Sequence, residues 1–268
     1  MYKGFNLKLT TDEVMSLRQT DIGDYVPIRP TISDSDMEKA LLSESANWIM
    51  DHWFKNYDAN VFLSHAHNDK DLARKIATYF TSAGLRVFID SDVWGYVEDL
   101  QRKIDDKKAV FKRRDDGTVE TYDYKSRNIT TSHVHVLLAH ALMRMIDQTE
   151  CFIFLSTETS TLSCGENQVD TYSPWIFHEL ESANVVQIRT PPRLEKSAQL
   201  VDTMDEAVES LRLIFHSKTE RLQNINLKYI VNRWMHYCQE AKTCPYGLLD
   251  MMYGEDESTC GTGRLLHG

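Results

Sequence analysis

The segment 173–180 contains a tryptophan and a glutamate at the start of a predicted helix. Ser173 is favoured at an N-cap, and Pro174 suits the first helical position because its missing N–H would have no helical partner there. Trp175 and Glu179 are four residues apart, so they share one helix face. We interpret Glu179 as the catalytic residue and Trp175 as a candidate substrate contact. Taken alone, the pattern also fits a packed tryptophan and a solvated or ion-paired glutamate.

Polar residues also follow two predicted strands at 60–64 and 85–90. A helical pattern over 69–83, ended by a glycine, separates the two runs, and this order is typical of a βαβ unit in a parallel sheet. Ligands of such sheets bind beyond the carboxyl ends of the strands. Candidate substrate-binding residues at this edge, including one in the loop after the second strand, are Ser64, His65, Asp90 and Trp94.

Three further strands are predicted for the same sheet. Cys151–Leu155 is nearly all apolar, which indicates a central strand buried on both faces. Val185–Arg189 and Leu211–Phe215 are predicted as the fourth and fifth strands, with the end of a helix as the alternative for the latter. A long helix is predicted to begin at Thr131, where Ser132 and His133 could bind a phosphate through the free N–H groups of its first turn.

The chain divides into four predicted segments. The core of the fold is assigned to residues 58–216, and a hairpin-like insertion with an Asp-Gly turn interrupts it at about 107–130. The other segments are a helical N-terminal extension (1–57, with helices near 11–17 and 36–54), a C-terminal helical segment (217–253, with a helix at 227–241) and a flexible tail (254–268).

Composition limits the class of protein. The chain has 268 residues, 42% hydrophobic and 26% charged, which is ordinary for a soluble globular protein. Its formal charge of −10 argues against nucleic acid or an anionic membrane as a partner. Five cysteines without CxxC spacing do not indicate a disulfide framework. With no apolar run long enough to cross a bilayer, we expect a cytoplasmic protein.

Several other chemistries lack support in the sequence. His65 and His67 are two apart, as are His133 and His135, but neither pair has further ligands at metal-binding spacing, so no metal site is expected. A glycine-rich phosphate loop is also missing, which argues against a dinucleotide held as a redox cofactor. Cys151 lies in an apolar strand and is interpreted as a structural thiol.

Three segments together resemble the TIR (Toll/interleukin-1 receptor) domain, particularly its bacterial form. They are the Ser-His-Ala box at 60–66, the strand at 151–156 and the Ser-x-Trp-x-x-x-Glu-Leu helix at 173–180. The hairpin insertion and Ile176, where many animal members have cysteine, depart from the family pattern. The resemblance implies an α/β, flavodoxin-like fold with a central parallel five-stranded sheet.

For many bacterial members of this family the resemblance implies cleavage of the nicotinamide–ribose bond of NAD, with Glu179 as the essential carboxylate. NAD would be the substrate and no cofactor would be needed. Because nicotinamide leaves as a neutral molecule, no partner acid is required, and Glu179 is expected to work alone by stabilising positive charge on the sugar. Water as the acceptor gives ADP-ribose, and an atom of the same molecule gives a cyclic form.

The resemblance also suggests a biological setting. Such a protein would self-associate through its TIR domain and signal to a separate effector through the nucleotide product, as in Thoeris-like antiphage defence, with a phage-derived protein as a possible trigger. Two alternatives stay open: a non-catalytic TIR scaffold that acts by homotypic assembly, and an N-glycosidase resembling nucleoside deoxyribosyltransferases.

Overall fold

The computed structural model describes residues 1–19, 25, 27–28, 58–164, 168–194, 215–239 and 244–254. Its strands are β1 (Lys3–Lys8), β2 (Val61–Ser64), β3 (Val87–Ile89), β4 (Val110–Arg113), β5 (Val119–Tyr122), β6 (Cys151–Ser156), β7 (Ser163–Cys164), β8 (Gln168–Thr171), β9 (Phe215–Lys218) and β10 (Leu222–Ile225). Its α-helices are α1 (Thr11–Gln19), α2 (Lys70–Ser82), α3 (Ser91–Lys108), α4 (Tyr124–Gln148), α5 (Pro174–Val185), α6 (Leu227–Gln239) and α7 (Gly247–Tyr253).

Five parallel strands form the central sheet, in the order β10–β1–β6–β2–β3. This confirms the predicted α/β, flavodoxin-like class and the central position of β6. Alternate residues of the strands enter two separate cores, so the sheet is buried on both faces, as parallel sheets usually are. One face carries Phe62, Phe88, Phe152 and Phe154, and the other carries Phe5, Leu7, Leu63 and Ile153.

Helices cover both faces of the sheet. The phenylalanine face packs against α4 and α5, through residues such as Leu138, Leu142, Ile176 and Leu180. The other face packs against α1, α2, α6 and α7, through residues such as Leu17, Ile76, Ile230 and Leu249. The catalytic candidate therefore lies on the phenylalanine side, on a helix whose apolar residues are fixed by the core.

One strand was assigned wrongly from the sequence. Val185 ends α5 and the chain continues without strand structure, so Val185–Arg189 is not the fourth strand. Of the predicted fifth strand, residues 211–214 lie outside the described residues, and Phe215 begins β9, which pairs antiparallel with β8 in a small separate sheet. Short apolar runs of this kind fit strands, helix ends and loops equally well, because periodicity cannot separate them.

The strands that complete the sheet are β1 and β10. The helical N-terminal extension is therefore corrected in part: α1 confirms the helix near Thr11, but Lys3–Lys8 forms a strand between β6 and β10. Gly4 permits this close pairing, since a Cβ there would collide with the side chain of Leu222. The predicted range of 58–216 thus leaves out two strands of its own sheet.

The structure also contains the predicted hairpin and the predicted C-terminal helix. The hairpin is confirmed as β4 and β5, with Gly117 at a φ of 84° in its turn, as a tight turn requires. The C-terminal helix is confirmed as α6. The predicted helix at 36–54 and the tail residues 255–268 lie outside the described residues. In the described part of the chain, no helix is both long and apolar enough to span a membrane.

Candidate functional site

Four of the predicted site residues lie together at the carboxyl edge of the sheet. Ser64 ends β2 and His65 follows it, Asp90 follows β3, and Glu179 projects from α5. The Ser64 hydroxyl donates to Oε2 of Glu179 over 2.5 Å, and Nδ1 of His65 lies 3.1 Å from Oδ1 of Asp90. All four are buried, with Ser64 and Glu179 at 0% exposure. The strand ends thus bring distant parts of the sequence into one polar cluster.

Helix α5 places Glu179 at this edge. The side chain of Ser173 accepts a hydrogen bond from the backbone N–H of Ile176 over 3.3 Å, which confirms the predicted N-cap, and Pro174 is the first helical residue. Ile176 and Leu180 are buried in the phenylalanine-side core, so the helix cannot rotate freely. Glu179 lies between them in sequence and points into the protein.

The environment of Glu179 favours its neutral form. Burial raises the pKa of this carboxyl well above its usual range, and the neighbouring carboxyl of Asp90 raises it further, since two like charges repel. The Ser64 hydroxyl acts in the opposite direction because its hydrogen bond stabilises the ionised form. Glu179 therefore gives up its proton only when a positive charge arrives or the pH rises.

A second acid lies beside Glu179. Asp90 is close enough for its charge to raise the pKa of Glu179. The expectation that Glu179 works without a partner acid concerns the reaction itself, and it stays a prediction. The sequence did suggest Asp90 as a member of this edge, but its distance from Glu179 depends on how α5 packs on the sheet. A pair of buried carboxyls is the characteristic feature of this site.

Some polar atoms of the cluster lack partners. Oε1 of Glu179, Nε2 of His65 and Oγ of Ser91 are buried without a hydrogen-bond partner among the described residues. A buried polar atom left unpaired costs about 1–3 kcal/mol, and most native proteins avoid it. Three such atoms at this edge are available to hydrogen-bond a bound molecule or water.

The remaining predicted residues all lie within helices. Trp175 is half-buried and packs edge-on against the ring of His135 on α4, at a centroid distance of 5.6 Å. Trp94 lies within α3 and not in a loop. Ser132 and His133 lie in the third turn of α4, because that helix begins at Tyr124 and not at Thr131.

The phosphate-binding role of Ser132 and His133 therefore loses its basis. The N-cap of α4 is Asp123, whose side chain accepts from the backbone N–H of Ser126 over 2.7 Å. Ser132 instead donates to the carbonyl of Ile129 over 2.8 Å, inside the helix. The free N–H groups of the first turn thus lie at the base of the hairpin and face an aspartate.

Sequence reasoning missed the contacts that hold the edge together. Asp69 is buried, and Oδ2 of its carboxylate accepts from Thr157 and Thr159, each over 2.5 Å. These bonds tie the turn after β2 to the turn after β6. The run of hydroxyl residues that directly follows the buried strand, 156–161, is the signal that could have found them.

Within the residues that the structure describes, no group of three or more His, Cys, Asp or Glu side chains could hold an ion. Cys151, the thiol in the central strand, is free and buried, and burial raises its pKa above its usual range. Carboxyl, hydroxyl and imidazole groups are the reactive side chains that the structure places at this edge.

Comparison with known proteins finds one family model that matches part of the chain. The sequence model described as the TIR domain matches residues 61–111, which supports a TIR domain protein. The matched range runs from β2 into β4 and contains Ser64, His65 and Asp90, but it ends before Glu179. No curated protein and no solved structure matches the chain. TIR domains include NAD-cleaving enzymes as well as scaffolds that assemble.

Proposed function

We propose that this protein cleaves the nicotinamide–ribose bond of NAD and that Glu179 is the catalytic carboxylate. The observation that carries the proposal is a fully buried glutamate with one oxygen bonded to Ser64 and the other without a partner among the described residues. Such a carboxyl is held in place and still has one acceptor to offer. The TIR domain match over 61–111 supports the same activity class.

The proposed chemistry needs one ionised carboxylate. As the nicotinamide–ribose bond breaks, the bonding electrons move to the pyridinium ring, which leaves as neutral nicotinamide, and positive charge develops on the sugar. Glu179 accepts a hydrogen bond from a ribose hydroxyl through Oε1 and stabilises that charge. Ser64 holds Oε2 and fixes the orientation of the carboxylate. Water then adds to the sugar to give ADP-ribose, or an atom of the same molecule adds to give a cyclic product.

The substrate must gain access to this site. Glu179 has no exposed surface, and His65 and Asp90 are 3% and 6% exposed. NAD therefore reaches the carboxylate only when the side chains that cover it move. This requirement agrees with an enzyme that is silent until a second event, such as assembly or a trigger, opens the site.

The wider role belongs to the same proposal. A TIR domain suggests homotypic self-association, and assembly is one event that could open the buried site. The product would act as a nucleotide signal on a separate effector, in a Thoeris-like antiphage system in which a phage-derived protein is the trigger. The location expected for such a system is the cytoplasm, where NAD is available.

The test follows nicotinamide release by chromatography. Purified protein is incubated with NAD, with and without phage lysate, and three proteins are compared: the wild type, Glu179→Gln and Glu181→Gln. Glu181 is the matched control, because it lies on the same helix and accepts a hydrogen bond from Ser217 away from the cluster. We expect release from the wild type and Glu181→Gln, and a loss of about 100-fold or more in Glu179→Gln.

Two outcomes would contradict the proposal. Equal release by Glu179→Gln and the wild type would remove the catalytic role of this carboxylate. No release by the wild type in either condition would favour a TIR scaffold without turnover. Nicotinamide riboside offered in place of NAD separates the third possibility, since a nucleoside-specific glycosidase would cleave the smaller substrate preferentially.

A further inference from the structure

Two consecutive residues connect the two acids of the site. The hydroxyl of Ser64 contacts Glu179, and the imidazole of its neighbour His65 contacts Asp90, over 2.5 and 3.1 Å. Because the turn after β2 is anchored by Asp69, this dipeptide has little freedom to move. A change in the charge of one carboxyl therefore changes the proton affinity of the other, because the connection between them is rigid and buried.

Two carboxyls share this buried cluster. The imidazole of His65 lies beside Asp90, and the neutral hydroxyl of Ser64 bonds Glu179. Two ionised carboxyls in such a site repel each other strongly, because little water is there to screen them. Glu179 is the carboxyl that keeps the proton, because it is the more deeply buried of the two and its hydrogen-bond donor is a neutral hydroxyl.

Other titratable groups nearby have contacts of their own. They lie on α2, α3, α4 and α5, the helices around the edge, and none of their contacts reaches Glu179 within the part of the chain that the structure describes. Lys70 and Arg74 pair with Asp92, His135 packs on Trp175, His178 contacts the carbonyl of Ala139, and Glu181 accepts from Ser217. Among the described residues, Asp90 is the charged group that acts on Glu179.

We propose that His65 and Asp90 form a positioning pair that acts through Ser64 and Glu179, so that a cationic substrate binds as one proton leaves Glu179. The proton passes to solvent, and the positive ring of the substrate takes its place in the charge balance. The inference rests on the proposed function only for the identity of the cation, which would be the pyridinium of NAD. The pair thus favours binding of a positively charged substrate before any bond breaks.

The first test observes the proton directly and needs no activity. The full chain is labelled with carbon-13 at its carboxyl groups and titrated by NMR, with Glu179→Gln identifying the Glu179 resonance. We expect the wild-type midpoint well above the ordinary range. It should fall by about one pH unit or more in Asp90→Asn, since one unit corresponds to a tenfold change in proton affinity, and rise in Ser64→Ala. Asp147→Asn, which removes an exposed pair, should leave it unchanged.

The second test separates positioning from mere structural support. Below the Glu179 midpoint, kcat/KM for NAD should rise about tenfold per pH unit, and Asp90→Asn should move this limb to lower pH. A structural role would instead lower kcat/KM equally at every pH. NADH, whose reduced ring is neutral, should inhibit with a Ki that does not change over the same range.

The two proposals can fail independently. If the wild type releases no nicotinamide, the proposed function fails while the NMR titration still decides the role of Asp90. If the Glu179 midpoint is ordinary in the wild type, or is unmoved by both Asp90→Asn and Ser64→Ala, the positioning pair is overturned even when NAD is cleaved.

Discussion

Two buried charged clusters lie at opposite ends of β6, and they are built on opposite principles. At the amino end, Arg193 binds the carboxylates of Glu150 and Asp250, and Tyr253 donates to Glu150 over 3.1 Å. At the carboxyl end, Glu179 faces a second acid and leaves an oxygen unpaired. The charged groups of the amino-end cluster are paired with opposite charges, whereas Glu179 in the carboxyl-end cluster is not.

This difference distinguishes polar groups that stabilise the fold from polar groups that serve a function. A buried ion network whose donors and acceptors are all engaged fixes the elements that contribute to it, here the chain before β6, the turn at Pro192–Leu194 and α7. A cluster with two acids and unpaired atoms costs stability and is retained only where it serves another purpose. The predictions below change one cluster and use the other as the reference.

The largest effect is expected from breaking the satisfied cluster. Arg193→Met leaves the carboxylates of Glu150 and Asp250, whose side chains are 15% and 9% exposed, without their cation. Removing one partner of a buried pair costs about 3–5 kcal/mol. Urea denaturation should show this loss in the free energy of unfolding. The side chain of Arg193 is 20% exposed, so the lower end of the range is the more realistic value.

The control for this change is Arg189→Met. Arg189 pairs with Asp147 over 2.7 Å, but its side chain is 50% exposed, so its removal should cost only about 0–1 kcal/mol. An equal loss in both variants would show that the amino-end cluster contributes no more than a surface pair. Nicotinamide release measured well below the unfolding transition should be unchanged in Arg193→Met, because this cluster lies at the other end of the strand.

The two clusters were also unequally predictable from the sequence. Glu179 and its helix could be located because the signals are local: the N-cap Ser173, Pro174 and the spacing from Trp175. The strands β2, β3 and β6 could be located because each is a short apolar run. By contrast, the network of Arg193 joins three distant segments, and no local sequence pattern predicts it.

The errors have a physical cause as well. Lys3–Lys8 alternates polar and apolar residues around a glycine, and it is a strand because β6 and β10 pair with it, which is a property of its neighbours. The start of α4 was placed too late because Asp123 was assigned to the insertion. The contact of Asp90 with Glu179 is set by the packing of α5, so an aspartate recognised as a candidate could not be recognised as a partner.

A smaller effect is expected when the hydrogen bond within the carboxyl-end cluster is removed. Ser64→Ala deletes the donor to Oε2 of Glu179, and a hydrogen bond to a charged group contributes about 1.5–3 kcal/mol. We therefore expect kcat/KM for NAD to fall roughly 10- to 100-fold at neutral pH, since RT ln 10 is about 1.4 kcal/mol. Nicotinamide release over a range of NAD concentrations measures this.

Ser182→Ala provides the matched comparison. Ser182 is also buried, and its hydroxyl donates to the carbonyl of His178 over 2.7 Å on the same helix as Glu179. Its loss should leave kcat/KM unchanged. A similar decrease in both variants would mean that α5 has been disturbed generally and that Ser64 has no particular role in orienting the carboxylate.

The smallest effect is a dependence of stability on pH that comes from Glu179 in the carboxyl-end cluster. Burial, reinforced by Asp90, raises the pKa of Glu179 in the folded state, so the folded protein binds this proton more tightly than the unfolded chain. The stability contributed by the proton is complete below the ordinary value of 4.5 and is lost as the pH rises through the folded-state pKa.

Within that window the free energy of unfolding of the wild type should fall by about 1.4 kcal/mol per pH unit relative to Glu179→Gln, which has no proton to lose. Urea denaturation of both proteins at a series of pH values measures the difference, and titrating groups that do not interact with Glu179 cancel. Parallel curves would mean that Glu179 is ionised in the folded state. Other groups would then compensate the negative charge of Glu179, and the contrast between the two clusters would disappear.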